Sequence, residues 1–110
     1  MLRTPDEPVR AQIEAAKAYL RDEGFTKVED PPEIQQQAFE RHLHTIRMRL
    51  RGETRILRLS YTWLEEHRPD HVSRWLSERD IGRSMREDAD MREVGVLGDG
   101  TLQYGPIQFP

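Results

Sequence analysis

The chain has no cysteine among its 110 residues, which excludes disulfides, cysteine-ligated zinc and thiol catalysis. It has no apolar run near the roughly 20 residues that a membrane-spanning helix needs, and residues 1–12 lack the apolar segment of a signal peptide. The glycine patterns that cradle phosphates and the G-x-S-x-G pattern of serine hydrolases do not occur. We therefore expect a cytoplasmic protein without a cofactor.

Lysine is scarce as well. Two of the 17 basic residues are lysines, so 15 are arginines, and the net charge is −3. A chain of negative net charge is not a general binder of polyanions. A GC-rich coding sequence would explain the arginine bias, and so would selection for guanidinium groups that grip carboxylates or phosphates at two points. The length allows one domain, which we assign to residues 1–110.

Residues 39–63 are the stretch around which the chain is organised, because apolar and charged residues alternate there. Alternation predicts two strands with one buried and one basic face. We place a type II′ turn at Gly52-Glu53, since glycine adopts positive φ without cost. This register pairs Met48 with Leu57, Ile46 with Leu59, His44 with Tyr61 and His42 with Trp63.

Helical patterns flank this hairpin. A capping box from Thr4 to Glu7 and an apolar stripe predict a first helix over residues 5–23. A second helix is predicted over residues 70–87, with a break near Asp80. Val94–Leu97 and Thr101–Tyr104 are separated by Gly98-Asp99-Gly100, which predicts a second hairpin.

The predicted fold class is therefore α+β, in the order α-β-β-α-β-β. We expect one antiparallel sheet of four strands, or five if residues 25–28 form an edge strand, with two helices packed on one face. Residues 1–4 are a lead-in, and residues 105–110 are an irregular tail.

The basic face of the first hairpin is the main candidate binding surface. This arginine face consists of Arg47, Arg49, Arg51 and Arg58, with Leu43 and Ile56 between them. The predicted register sets Arg47 opposite Arg58, which is mildly destabilising unless acidic groups or a ligand offset it. Arginines around apolar residues are typical of protein interfaces, whereas RNA-binding sheets add exposed aromatic residues. A solvated surface, a protein contact and a nucleic-acid contact are the three interpretations.

The histidines are a weaker chemical candidate. His42 and His44 are two residues apart on one strand, so their side chains project about 7 Å apart from one face, within reach of one metal ion. Acid–base cleavage of RNA by a histidine and an arginine needs both on one face, but the register separates them. A metal-binding protein or small hydrolase at His42 and His44 is the third hypothesis.

The last strand and the tail complete the candidates. An exposed final strand can pair with a second copy of the chain, and Tyr104, Ile107 and Phe109 are the apolar residues available for such a contact. We expect a non-enzymatic binding domain that contacts a protein through the arginine face or through its last strand and tail. The alternative is a nucleic-acid-binding regulator that uses the same arginines.

Overall fold

The computed structural model describes residues 7–30, 43–88 and 91–104. These residues form a mixed α+β domain, as predicted from the sequence. A short 3₁₀ helix, Glu7–Val9, leads into the first α-helix. The α-helices are α1 (Arg10–Asp22), α2 (Tyr61–Glu65), α3 (Pro69–Glu78) and α4 (Ile81–Glu87). The strands are β1 (Thr26–Glu29), β2 (Leu43–Leu50), β3 (Glu53–Ser60), β4 (Glu93–Val96) and β5 (Leu102–Tyr104).

The sheet has five strands in the order β1-β2-β3-β4-β5. The prediction of a purely antiparallel sheet is wrong, because β4 runs parallel to β3 while the other neighbours are antiparallel. The prediction of two helices is also wrong, since α2, α3 and α4 all lie between β3 and β4. A crossover with helices brings the chain back to the end where the preceding strand began, so the next strand can run parallel.

The β2–β3 turn lies one residue earlier than predicted. Arg51 and Gly52 form the two-residue loop, with φ values of 52° and 82°, and positive φ at both positions is the signature of a type I′ turn. The register therefore shifts by two, so that Ile46 lies opposite Leu57. A shift of two leaves each side chain of β2 and β3 on its predicted face, because strand side chains alternate with a period of two. The predicted strand pairs with Tyr61 and Trp63 are wrong, because both residues lie in α2 and His44 lies opposite Leu59.

One contiguous core joins the helices to the sheet. The predicted apolar stripe of α1 is confirmed, because Val9, Ile13, Ala16 and Leu20 are all buried. They belong to the same cluster as the apolar residues of β2, β3, α3 and α4. Ile46, Met48, Leu57 and Leu59 of the sheet also belong to this cluster. They share one face of the sheet with His44, and this face is called the core face below.

The predicted break in the second helical segment separates α3 from α4. Asp80 has φ 52° and ψ 36°, a left-handed conformation that an α-helix cannot contain. Ile81 and Met85 of α4 are then buried in the core. Among the described helices, none is long and apolar enough to cross a membrane.

Candidate functional site

Two residues of the arginine face form ion pairs with acidic residues of neighbouring strands. On β2, Arg47 donates from Nε and Nη2 to Glu29 Oε1, at 3.1 and 2.7 Å. On β3, Arg58 Nη1 lies 3.6 Å from Glu93 Oε2. The Arg58 side chain is only 12% exposed, against 39% for Arg47. Carboxylates of this chain therefore offset part of the positive charge that the sequence assigned to this face.

The predicted opposition of Arg47 and Arg58 is wrong. In the observed register, Arg47 lies opposite Ile56 and Arg58 lies opposite Thr45. The two-residue shift of the hairpin separates the like charges that would have repelled each other across the strands. The sheet therefore needs no external anion to relieve this repulsion.

The remaining members of the arginine face differ in accessibility. Arg49 and Arg51 are exposed at the end of the hairpin, and Arg49 Nη1 donates to the Gly52 carbonyl at 3.0 Å. Ile56 is half-buried, whereas Leu43 is 3% exposed. A partner that contacts this face would therefore reach Arg49 and Arg51 more readily than Leu43.

His44 belongs to a buried polar cluster at the start of β2. Its Nε2 lies 2.7 Å from Asp30 Oδ1, and its Nδ1 lies 3.2 Å from the Tyr61 hydroxyl. An ionised carboxylate only accepts hydrogen bonds, so Nε2 donates to Asp30, while Nδ1 shares a hydrogen bond with the Tyr61 hydroxyl. Both ring nitrogens are therefore used inside the protein.

Asp30 also accepts hydrogen bonds from two cationic side chains of α1. Lys17 Nζ donates to Asp30 Oδ2 at 3.0 Å, and Arg10 Nη1 donates to the same oxygen at 3.4 Å. Burial alone would raise the pKa of Asp30, but the hydrogen bonds from His44 and Lys17 outweigh burial and hold the pKa below its ordinary value. The cluster therefore favours an ionised carboxylate that ties β2 to α1.

The metal hypothesis receives no support from the geometry. His42 lies outside the described residues. Within residues 7–30, 43–88 and 91–104, no three histidine, aspartate or glutamate side chains come together as a metal site. Of the predicted pair, only His44 is described, and its two ring nitrogens form hydrogen bonds with Asp30 and Tyr61.

An aromatic cluster covers the junction of α2 and α3. The His67 ring stacks on Trp63 at a centroid distance of 4.4 Å, Trp75 meets Trp63 edge-on at 4.9 Å, and the Arg79 guanidinium lies 4.0 Å from the Trp75 ring centre. Trp63 is buried and Trp75 is half-buried. A shallow groove of about 280 Å³ runs beside this cluster, lined by His67, His71, Arg74, Trp75 and Glu78.

The outer edge of the sheet at β5 is a different kind of surface. The Leu97 N–H donates to the Thr101 carbonyl at 2.9 Å, and Gly95 lies opposite Gln103. In an antiparallel pair, the residues alternate between those that bond to the neighbouring strand and those that point away from it. Gln103 therefore bonds to β4, and the N–H and C=O groups of Leu102 and Tyr104 point outward.

No strand in the described part of the chain pairs with this outer edge. Tyr104 is 53% exposed and is the one large hydrophobic residue so exposed among the residues described. The other two predicted contacts, Ile107 and Phe109, lie outside the described residues. Among the described residues, the β5 edge therefore combines outward-pointing backbone N–H and C=O groups with an exposed aromatic ring.

The turn before β5 fixes the position of this edge. Asp99 Oδ1 accepts a hydrogen bond from the Thr101 N–H at 2.9 Å. Hydrogen bonds from Thr101 lower the pKa of Asp99, so the carboxylate stays ionised and holds the turn. The Gly98-Asp99-Gly100 sequence indicated the hairpin, but no signal in the sequence showed which backbone groups of β5 face outward.

Comparison of the chain with protein-family models, with curated proteins and with solved structures gives no match.

Proposed function

We propose that this domain acts by binding another protein, and that the contact surface is the outer edge of β5 with the Tyr104 side chain. The observation that carries the proposal is the pair of outward-pointing backbone positions, Leu102 and Tyr104, at the end of the sheet order. A partner strand that pairs there gains main-chain hydrogen bonds, and the side chains beside the edge supply specificity.

The exposure of Tyr104 supports this choice of surface. Tyrosine is enriched at protein interfaces, because it buries a large ring while its hydroxyl keeps a polar partner. A sheet edge left bare is also a liability, since it invites pairing with unrelated strands. Within Leu102–Tyr104 the edge carries a tyrosine and neither a lysine nor a proline, which fits a surface that binds a partner.

The arginine face is the weaker candidate for the same function. The ion pairs of Arg47 with Glu29 and of Arg58 with Glu93 favour a solvated or structural role for those two guanidinium groups. We further propose that all the helices pack on the core face, which leaves the arginine face open beside Arg49 and Arg51. A secondary contact there would involve these two residues first.

The test compares three variants in capture experiments from a lysate of the native host. Tyr104→Pro removes an outward N–H without removing a β4–β5 hydrogen bond, and proline is tolerated at such edge positions. Gln103→Ala is the matched control, because the backbone of Gln103 faces β4. Arg49→Glu with Arg51→Glu tests the alternative surface.

We expect the wild type and Gln103→Ala to retain a protein that Tyr104→Pro loses; that protein is either a host protein or this chain itself when it is present above its dissociation constant. The thermal unfolding midpoints of all the variants should stay close together. Retention of the same protein by a folded Tyr104→Pro would contradict the proposal. Loss with the arginine double variant alone would assign the contact to the arginine face. A steep decline of binding with salt would then indicate nucleic acid.

A further inference from the structure

We infer that the strand added to β5 is β5 of a second copy of this chain, so that two sheets join across a two-fold axis through Gln103. This inference rests on the proposed function and names the partner at the same edge. It starts from the outward positions of Leu102 and Tyr104, which lie two residues apart.

The spacing of these positions makes the edge self-complementary. In a symmetric antiparallel pair, residue i meets residue j of the partner and residue j meets residue i. With the axis at Gln103, Leu102 meets Tyr104 of the second copy, and Tyr104 meets its Leu102. Both are outward-pointing positions, so each pair exchanges two hydrogen bonds, and the backbone groups of Gln103 keep their bonds to β4.

The same register matches the side chains. Leu102 and Tyr104 lie opposite Val96 and Val94, both buried, so they belong to the core face of the sheet. Leu102 is partly buried against the core cluster. In the joined sheet, the exposed Tyr104 ring of one copy would cover Leu102 of the other on this face. Cross-strand contact between a large aromatic ring and an apolar neighbour stabilises a sheet.

The contact is small, because each copy contributes three residues of strand. Few hydrogen bonds and two side-chain pairs must offset the entropy lost on association, so we expect a dissociation constant on the order of 0.1 mM. The dimer should therefore depend on concentration and should be easiest to observe when it is trapped covalently.

Because the chain has no cysteine, a single introduced cysteine can form a disulfide only with the same residue of a second copy. In the proposed register, Gln103 faces Gln103 of the second copy as a pair without hydrogen bonds, with Cα atoms about 4.5 Å apart, within the span of a disulfide. Thr101 is exposed on the same side of the strand, but its two copies would lie about 14 Å apart along the strands, far beyond that span.

The experiment oxidises Gln103→Cys and Thr101→Cys separately at about 0.1–1 mM, around the expected dissociation constant, and measures dimer on non-reducing gels. We expect a product of twice the 13.0 kDa chain mass from Gln103→Cys, about tenfold more than from Thr101→Cys because only the first pair lies within disulfide reach. Adding Tyr104→Pro to Gln103→Cys should return the yield to the Thr101→Cys level.

Equal yields from the two cysteine variants, or no dimer from either, would overturn the inference. If no dimer forms but Tyr104→Pro still loses a protein captured from lysate, the partner is a different chain and the proposed function stands. If Tyr104→Pro changes neither the capture nor the crosslink, both proposals fail.

Discussion

The Asp30 side chain connects the end of β1 to β2 and to α1. Asp30 follows β1 directly, accepts a hydrogen bond from His44 on β2, and pairs with Lys17 and Arg10 of α1. Lys17 is 8% exposed and His44 is 5% exposed. Removal of the carboxylate would leave His44 Nε2 without its acceptor, and Lys17 Nζ would keep only Glu14 Oε1 at 3.3 Å. Such losses cost about 1–3 kcal/mol for each buried group.

Replacing Asp30 by asparagine should therefore lower the free energy of unfolding at pH 7 by about 1–2 kcal/mol. The pKa of Asp30 is lowered from its ordinary value of 3.8 in the folded protein. Its contribution is therefore present above pH 3.8 and is lost as the pH falls through the lower folded pKa. The difference between wild type and Asp30→Asn should shrink over that acidic range.

Chemical denaturation from pH 7 down to about pH 3, below the ordinary carboxyl pKa, measures this difference. Asp22→Asn serves as the control, because Asp22 is exposed at the end of α1 and surface substitutions change stability by at most about 0.5 kcal/mol. An Asp30→Asn variant whose stability runs parallel to that of the wild type throughout would contradict the assignment.

The side-chain partners of individual residues were only partly predictable from the sequence. Alternation placed Arg47 and Arg58 on one face correctly, because side-chain direction is a local property of a strand. It did not identify Glu29 and Glu93 as their partners, because those residues lie on strands that are distant in sequence. Arg55, whose Nε donates to the Met85 carbonyl in α4, was missed for the same reason.

At the scale of elements, α1 and α4 approach closely at Gly82. The Gly82 N–H donates to the Tyr19 hydroxyl at 2.9 Å, and that hydroxyl donates to the Leu76 carbonyl at 3.3 Å. A Cβ atom at position 82 would lie 2.6 Å from Glu23 Cγ and 2.9 Å from the Tyr19 oxygen. A side chain at position 82 would therefore fit only if the Glu23 side chain and the Tyr19 hydroxyl shifted.

Gly82→Ala should lower the free energy of unfolding. Alanine gains up to about 1 kcal/mol in helix propensity, but overpacking costs about 1–3 kcal/mol, so we expect a net loss near 1 kcal/mol. Gly98→Ala is the matched control, because its new Cβ would meet Ser60 Oγ at an ordinary 3.5 Å. Thermal unfolding of both variants checks this prediction, and a Gly82→Ala variant more stable than Gly98→Ala would contradict it.

The helices and strands could be predicted where the local sequence determines them. Their register and direction could not, because these depend on contacts between distant parts of the chain. The hairpin sequence predicted both strands, but a slip of two residues keeps every side chain on its face, so alternation could not distinguish the two registers. The direction of β4 depends on the path of three intervening helices, and no local pattern encodes that path.

At the scale of the whole molecule, the sheet has β1 and β5 as its two edges. β1 is irregular, with a shifted register and a positive φ of 50° at Lys27, and such bulges blunt an edge against pairing. β5 has a regular register with β4 and an exposed tyrosine. This asymmetry favours β5 over β1 as the edge that pairs with a partner strand.

Residue-resolved amide hydrogen exchange of β5 tests the assignment most directly. In dilute protein, the Gln103 amide should exchange slowly because it bonds to β4, whereas the Leu102 and Tyr104 amides should exchange rapidly because they face outward. Raising the protein concentration, or adding the captured partner, should slow the exchange of Leu102 and Tyr104 alone. Slow exchange of both amides in dilute protein, or rapid exchange that no concentration or partner changes, would contradict the claim that the β5 edge is the binding surface.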